Sequence, residues 1–429
     1  MKLLILTPYY DPEPFGIAVV ATGLATYMAE HGWKVTVLSG MPKTPQWEIF
    51  PAYRGKLLER EVRNGVDIVR TWIYCPRKPR SGRMKAWRRI LSDTSMGLAP
   101  LAAAGALDRP DVILAISPPL QTAAAAIALK RLWNCPLLTW VQDIVPDAAM
   151  SVGMMQDGLA MRLGRGLEQF VYRNSDQIGV LSEGFARNLQ LKGVPEEKLR
   201  QLTNWTDLTA FAGTSRREEF RERLHVQPDD FVLLHAGSMA LKQDLSNVIH
   251  AMRMLSSRPN IKMFFLGDGI CKGTLQTEAL GLGNVRFLST AALAEFPDML
   301  RAADLLILNQ APNVVEAVAP SKLLNYMAAT RPVLAASNAM SEAARLINST
   351  HCGVVVDAAQ PAQLASAIVN LQQRPDLRAS YGKNGAIAVA ERFSKDRALS
   401  KFDAVLRNLA GARQLAIPVG SVTKQTRAA

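Results

Sequence analysis

The stretch VEAVAPSKLLNYMAATRPVLAA, residues 315–336, sets an apolar run against Pro320, Ser321 and Lys322 before helical spacing resumes. Proline suits the first turn of a helix, and a serine hydroxyl and a lysine there add a donor and a cation. A helix N-terminus also presents unpaired N–H groups and the positive end of the helix dipole, so the stretch reads as an anion site. A second cation, Lys242, follows the strand-like start of HAGSMALKQDL, in which Gly237 and Ser238 supply a tight turn. There it can reach a phosphate as a point charge, although a lone lysine is more often a solvated surface group. FFLGDG puts Gly267 and Asp268 after another strand; it is half of a Gly-rich nucleotide loop and weak by itself.

Two further segments carry candidate groups. In WVQDIVPDAAM, Asp143 ends a strand, where a carboxylate can orient a sugar hydroxyl or a proton; the commoner role of such a residue is a helix cap. In PYYDPEPFGIA, Gly16 stands where the chain turns into a helix, so a ligand can approach backbone N–H groups.

These positions gain weight from the elements that must carry them. Short apolar runs alternate with helical patterns: KLLILT, KVTVLSG, VDIVRTWI, DVILAIS, PLLTWVQD and QIGVLS read as strands of a first sheet. The same alternation restarts at DDFVLLHAGS and continues through IKMFFLGDG, NVRFL, DLLILNQ, RPVLAAS and CGVVVD. The expected class is α/β, with two doubly wound, mostly parallel domains. NWTDLTAFAGTS (204–215) is turn-prone and aperiodic, so the domains are set at 1–205 and 206–395. A C-terminal helix over 396–412, folding back on the first domain, and a mobile tail over 413–429 complete the chain. Every candidate lies just beyond the carboxyl end of a strand, where open parallel sheets bind ligands. Two half-sites facing across a cleft suit a substrate with a diphosphate in its middle.

The 429 residues carry a formal net charge of +13, compatible with phosphorylated substrates, anionic membrane or nucleic acid. No nucleic-acid module is recognisable, and no nucleic-acid partner is expected. Four widely spaced cysteines without a CxxC read as reduced thiols in a cytoplasmic protein. No segment reads as a signal or a membrane span: the uncharged run 112–129 contains Pro118-Pro119 and parses as strand plus helix. The absence of an Asp-x-Asp triplet leaves no expected metal site, and no cofactor beyond a co-substrate is expected.

The order YYDPEPFGIA, GWKVTVLSG, PQW, VQDIVPDAA, NWTDLTAF, HAGSMALKQDL, FLGDG and PSKLLNYMAATRPVLA resembles retaining GT-B glycosyltransferases of family 4. Within these it is most similar to the colanic-acid branch of polysaccharide-assembly enzymes, over residues 2 to about 410. The resemblance implies that the C-terminal domain binds a nucleotide-sugar donor and the N-terminal domain an acceptor. It implies that Lys242, with Gly237 and Ser238, binds the donor diphosphate, cradled also by Pro320, Ser321, Lys322 and the N–H groups of Leu323 and Leu324. Gly16 then lies near the phosphates from the opposite domain, and Asp143 beside the transferred sugar. Phe287 and Leu288 fall where the family holds the base. The family's two glutamates, eight positions apart, align with Ala317 and Asn325, leaving Glu316 one residue from the first as a substitute. Asn325 can still bond a ribose diol, and the family's histidine near Asp143 is missing.

The function this implies is retaining transfer of a sugar to a glycan acceptor on a polyprenyl diphosphate, in cell-surface polysaccharide synthesis. Fixed N–H donors and lysines would stabilise the leaving phosphate without a metal. The alternatives are a nucleotide-sugar epimerase of the same fold and a non-catalytic nucleotide-sugar binder. RKPRSGRMKAWRR (77–89), with seven basic residues in thirteen and Trp87, is expected to dock on an anionic membrane at the inner face of the plasma membrane. A solvated loop is the plainer reading.

Overall fold

The computed structural model describes residues 1–14, 16–44, 46–76, 86–144, 147, 158–289, 292–314 and 321–416. The first sheet uses β1 (Lys2–Leu6), β2 (Lys34–Gly40), β3 (Leu58–Arg63) and β4 (Val66–Thr71). It continues with β5 (Val112–Ser117), β6 (Leu137–Val141), β7 (Gln177–Val180) and β8 (Leu199–Gln201). Its strand order is β3-β4-β2-β1-β5-β6-β7-β8. The second sheet uses β9 (Phe231–Ala236), β10 (Ile261–Leu266), β11 (Val285–Leu288), β12 (Leu305–Asn309), β13 (Val333–Ala336) and β14 (Gly353–Val356). Its order is β11-β10-β9-β12-β13-β14, and all its pairings are parallel.

Central strands such as β5 (VILAIS) and β9 (FVLLHA) are buried along their whole length, as a parallel sheet covered on both faces requires. In each sheet the order reverses beside a central strand, between β1 and β5 and between β9 and β12. The loops leaving β1 and β9 therefore open at the two switch points, and these loops hold Gly16 and Gly237.

The sequence pattern passes over two strands. β3 (LEREVR) pairs antiparallel with β4 at the sheet edge, and its charged residues mask the alternation. Arg60 and Asp67 form an ion pair across that hairpin. β8 is only three residues long.

The last helix runs Lys395–Ala416, past the expected end at 412. Its Leu399, Phe402 and Leu406 are buried in the core of the first sheet, and Trp33 Nε1 donates to Asp403 at 2.6 Å. Residues 204–206 and 393–394 cross side by side, with Thr206 N donating to the Phe393 carbonyl at 3.0 Å. Trp140 packs edge-on against Phe402 (4.5 Å between ring centres), and Trp205 lies beside both.

Candidate active site

The helix Ser321–Ala328 begins beside the loop that leaves β9. Lys322 stands near the start of this helix. It turns back so that Nζ sits 3.2 Å from the Ser238 carbonyl and 3.3 Å from His235 Nε2. Gly237 makes room for it: a Cβ there would lie 2.7 Å from Lys322 Cε, and its φ of 125° is one that side-chain-bearing residues avoid. One turn along, Tyr326 Oη accepts from Ala236 N (2.8 Å) and donates to the Ala236 carbonyl (3.2 Å), fastening the helix to the end of β9.

The Gly-Asp-Gly turn locks onto the same loop. Gly237 N donates to Leu266 O at 2.8 Å and Met239 N to Asp268 O at 2.9 Å. A Cβ on Gly267 would strike the Gly237 carbonyl, and one on Gly269 would strike Met239. The Asp268 carboxylate is exposed and accepts from Gly269 N, so its visible role is to hold the turn.

Electrostatics tie Lys322, Lys242 and Asp143 together. Burial, with Lys242 adding repulsion, pulls the Lys322 ammonium down to about 7. Burial raises the Asp143 carboxyl, and the nearby Lys242 cation opposes that rise. Asp143 lies just past β6 in the first sheet and Lys242 just past β9 in the second, so this pair spans the cleft. The Lys242 carbonyl accepts from Ala311 N at 3.0 Å, and Ala311 packs against the first core.

The other candidates fall as follows. Leu323 and Leu324 are buried in the core of the second domain. Asn325 Oδ1 accepts from Thr206 Oγ1 at 3.2 Å, so its side chain engages the interdomain crossing. Phe287 stacks on Phe265 (5.0 Å), and Leu288 packs on the opposite side of the sheet. Gly16 is exposed at the start of the helix Ile17–Glu30, with φ 59°. Glu316, Ala317 and Pro320 lie outside the described residues, as does the Ser321 side chain. Among the described residues no group of three or more His, Cys, Asp or Glu is placed to hold a metal.

Several further groups of the site carry little signal in the sequence. His235 is one: a titratable residue inside an apolar strand was its available signal. In the first domain the buried Glu13 carboxylate accepts from the backbone N–H groups of Tyr10, Lys43 and Thr44 at 2.8–3.3 Å. It thereby ties the loop after β1 to the loop after β2. Lys43 is fully buried, with Nζ 2.7 Å from Ser92 Oγ and 4.9 Å from the centre of the Trp47 ring. Burial lowers its ammonium.

Of the basic segment, Arg77, Lys78, Arg80, Arg83 and Lys85 lie outside the described residues. Trp87, Arg88 and Arg89 begin the helix Ala86–Ala102. Its Ser92 and Met96 face the core, while Trp87, Ile90, Leu91 and Leu98 are 45–63% exposed. Among the described residues no helix is long and apolar enough to cross a membrane.

Comparison with known proteins gives this geometry a family. Residues 15–205 match the family described as "Glycosyl transferase 4-like domain", and residues 216–387 match "Glycosyl transferases group 1". The chain is 26% identical over 380 residues to the putative colanic acid biosynthesis glycosyl transferase WcaI of Escherichia coli (strain K12), covering 87% of this chain and 92% of that one. It resembles in fold the sucrose-phosphate synthase of Thermosynechococcus elongatus (TM-score 0.74, 15% identity, 96% and 99% of the two chains). A second fold relative is HepE of Anabaena in complex with UDP-glucose (TM-score 0.69, 16% identity, 95% and 100%). With both halves matched in order and the two-sheet architecture in place, the chain belongs to the GT-B glycosyltransferases.

Proposed function

We propose that the protein moves a sugar from a nucleotide diphosphate donor, held at the second sheet, to a glycan acceptor held at the first, during polysaccharide assembly. The observation that carries this reading is the convergence of Lys322 and Lys242 on the Gly237 turn, with Asp143 facing them from the other domain. Two cations at the carboxyl end of β9, beside a backbone turn without a side chain, suit a diphosphate. The similarity to a colanic acid enzyme supports a polysaccharide role, and the UDP-glucose complex of HepE supports the donor class.

In this reading, charge builds on the leaving phosphate oxygen as the anomeric bond breaks. Lys322 and Lys242 stabilise it without reorganising, which is where fixed charges lower a barrier most. Asp143, with its carboxyl raised by burial, lies on the acceptor side and orients a sugar hydroxyl. Closure of the two domains keeps water from the donor. Transfer proceeds without a divalent metal and retains anomeric configuration. The acceptor is a lipid-linked glycan, and the enzyme meets it at an anionic membrane surface. Arg88 and Arg89 beside the exposed Trp87, Ile90, Leu91 and Leu98 support that docking face, since apolar side chains can enter the interface while cations meet headgroups.

Thermal-shift screening against UDP-, GDP- and dTDP-hexoses tests the donor class, because only a ligand of the native state raises apparent stability. Lys242→Ala and Lys322→Ala should each weaken the responding nucleotide by about 1.5–3 kcal/mol, the value of a charge-assisted contact. Unaltered binding in both variants sinks the donor assignment. Turnover of donor without any acceptor would indicate an epimerase.

A further inference from the structure

We propose that His235 is a positioning residue whose Nε2 lone pair holds the Lys322 ammonium against the space that receives the donor's diphosphate. This rests on the donor-site reading above and names a residue that reading does not use. His235 lies on β9 and is 1% exposed. A ring buried so deeply needs partners for both nitrogens. Its Nδ1 is 3.2 Å from the Ile307 carbonyl on the neighbouring β12, and its Nε2 is 3.3 Å from Lys322 Nζ. A carbonyl can only accept, so Nδ1 carries the proton. A second proton is disfavoured by full burial and then by the neighbouring ammonium, which hold the imidazole well below its usual range against the opposing pull of the Ile307 and Ser238 carbonyls. Nε2 is therefore left as an acceptor facing Lys322. The other tautomer would set two acceptors against each other at Ile307, leaving an Nε2–H that has the Ser238 carbonyl to meet but also faces a cation.

Lys322 has three N–H donors. His235 and the Ser238 carbonyl take two of them, and a phosphate oxygen would take the third. Among the described residues, the titratable groups facing Lys322 are His235 on β9 and Lys242 in the loop beyond it. Lys242 is also the cation that opposes the rise of the Asp143 carboxyl across the cleft, and Tyr326 is tied to Ala236. Among the described residues nothing anionic therefore competes with the ligand for this ammonium. A donor that binds the charged lysine must bind more weakly as pH rises through about 7. Removing the His235 acceptor should move that fall to lower pH.

The test is calorimetry of UDP-glucose and GDP-mannose binding between pH 6 and 9. It uses wild type, His235→Leu, His235→Gln, Lys322→Met and the Leu/Met double variant. For whichever sugar nucleotide wild type binds, His235→Leu should lower the profile midpoint by about one unit, weakening affinity about fivefold at pH 7 and about tenfold at pH 9, since one unit is tenfold well above both midpoints. His235→Gln, which keeps an acceptor near the Nε2 position, should stay within about threefold. On the Lys322→Met background, His235→Leu should change affinity by less than about twofold. An equal loss on both backgrounds overturns the proposal and leaves the donor site standing. Wild type that binds neither of these nor any UDP-, GDP- or dTDP-hexose at any pH sinks the donor reading, and the proposal with it. If the leucine variant fails to fold, histidine side-chain NMR of wild type decides: His235 must be neutral with its proton on Nδ1, and an Nε2–H tautomer refutes the pairing.

Discussion

Replacing Lys322 with methionine should make the free protein more stable while removing its grip on the donor. The buried ammonium has its pKa pulled from 10.5 to about 7. At 1.36 kcal/mol per unit, that shift corresponds to roughly 3–5 kcal/mol of cost for keeping the lysine charged inside the fold. Methionine fills a similar volume without a charge, but it leaves the Ser238 carbonyl and His235 Nε2 without their donor, which returns about 1–3 kcal/mol. The net gain is on the order of 1–2 kcal/mol near neutral pH. Its pH dependence is diagnostic. Between about 7 and 10.5 the unfolded lysine binds a proton that the folded one does not, so wild-type stability rises with pH across that window. The destabilisation is complete below about 7 and is relieved as pH approaches 10.5, so the variant's advantage must shrink as pH rises. Urea unfolding of both proteins at pH 6, 8 and 9.5, without nucleotide, reads this directly. A variant less stable at every pH, or an advantage that does not change with pH, would mean that Lys322 is not a cation held inside the fold at a cost.

Other perturbations follow from the same geometry. Gly237→Ala forces a side chain into a φ of 125° and toward Lys322 Cε, so it should cost about 1–3 kcal/mol and weaken donor binding at least about tenfold; wild-type urea midpoint and affinity would contradict this. Transfer activity should persist in EDTA; loss in chelator, restored by Mg²⁺ or Mn²⁺, would contradict the metal-free mechanism. Liposome co-sedimentation should grow with anionic lipid, weaken with salt and fall when Trp87, Arg88 and Arg89 become Ser or Gln, each cation contributing about 1 kcal/mol near the surface. Equal sedimentation with neutral and anionic vesicles would sink the docking face.

The sheets were legible because central parallel strands must be apolar along their whole length. β5 and β9 read as continuous runs for that physical reason. β3 was not legible: an edge strand of alternating charge satisfies its pairing without an apolar signature. In the site, Gly237 and Lys322 were readable from chemistry at a strand end and a helix start, and the two do meet. The direction of Lys322 was not, because its stem is drawn through a gap that only the tertiary approach of Gly237 creates. His235 hid in plain sight, since a histidine in an apolar run reads equally as a satisfied core residue. Asn325 illustrates the limit of alignment: its amide oxygen is engaged by Thr206 from the interdomain crossing, a partner 119 residues away. The Glu13 clamp escaped because its three partners are backbone N–H groups, which carry no side-chain signal.

A crystal structure of the protein with the nucleoside diphosphate that stabilises it best locates the donor site outright. The diphosphate is expected in the cleft at the carboxyl end of β9, within hydrogen-bond reach of both Lys322 Nζ and Lys242 Nζ and against the Gly237 turn, on the side that Asp143 faces. A diphosphate bound at the carboxyl ends of the first sheet, or bound with both lysines turned away from it, would contradict that placement.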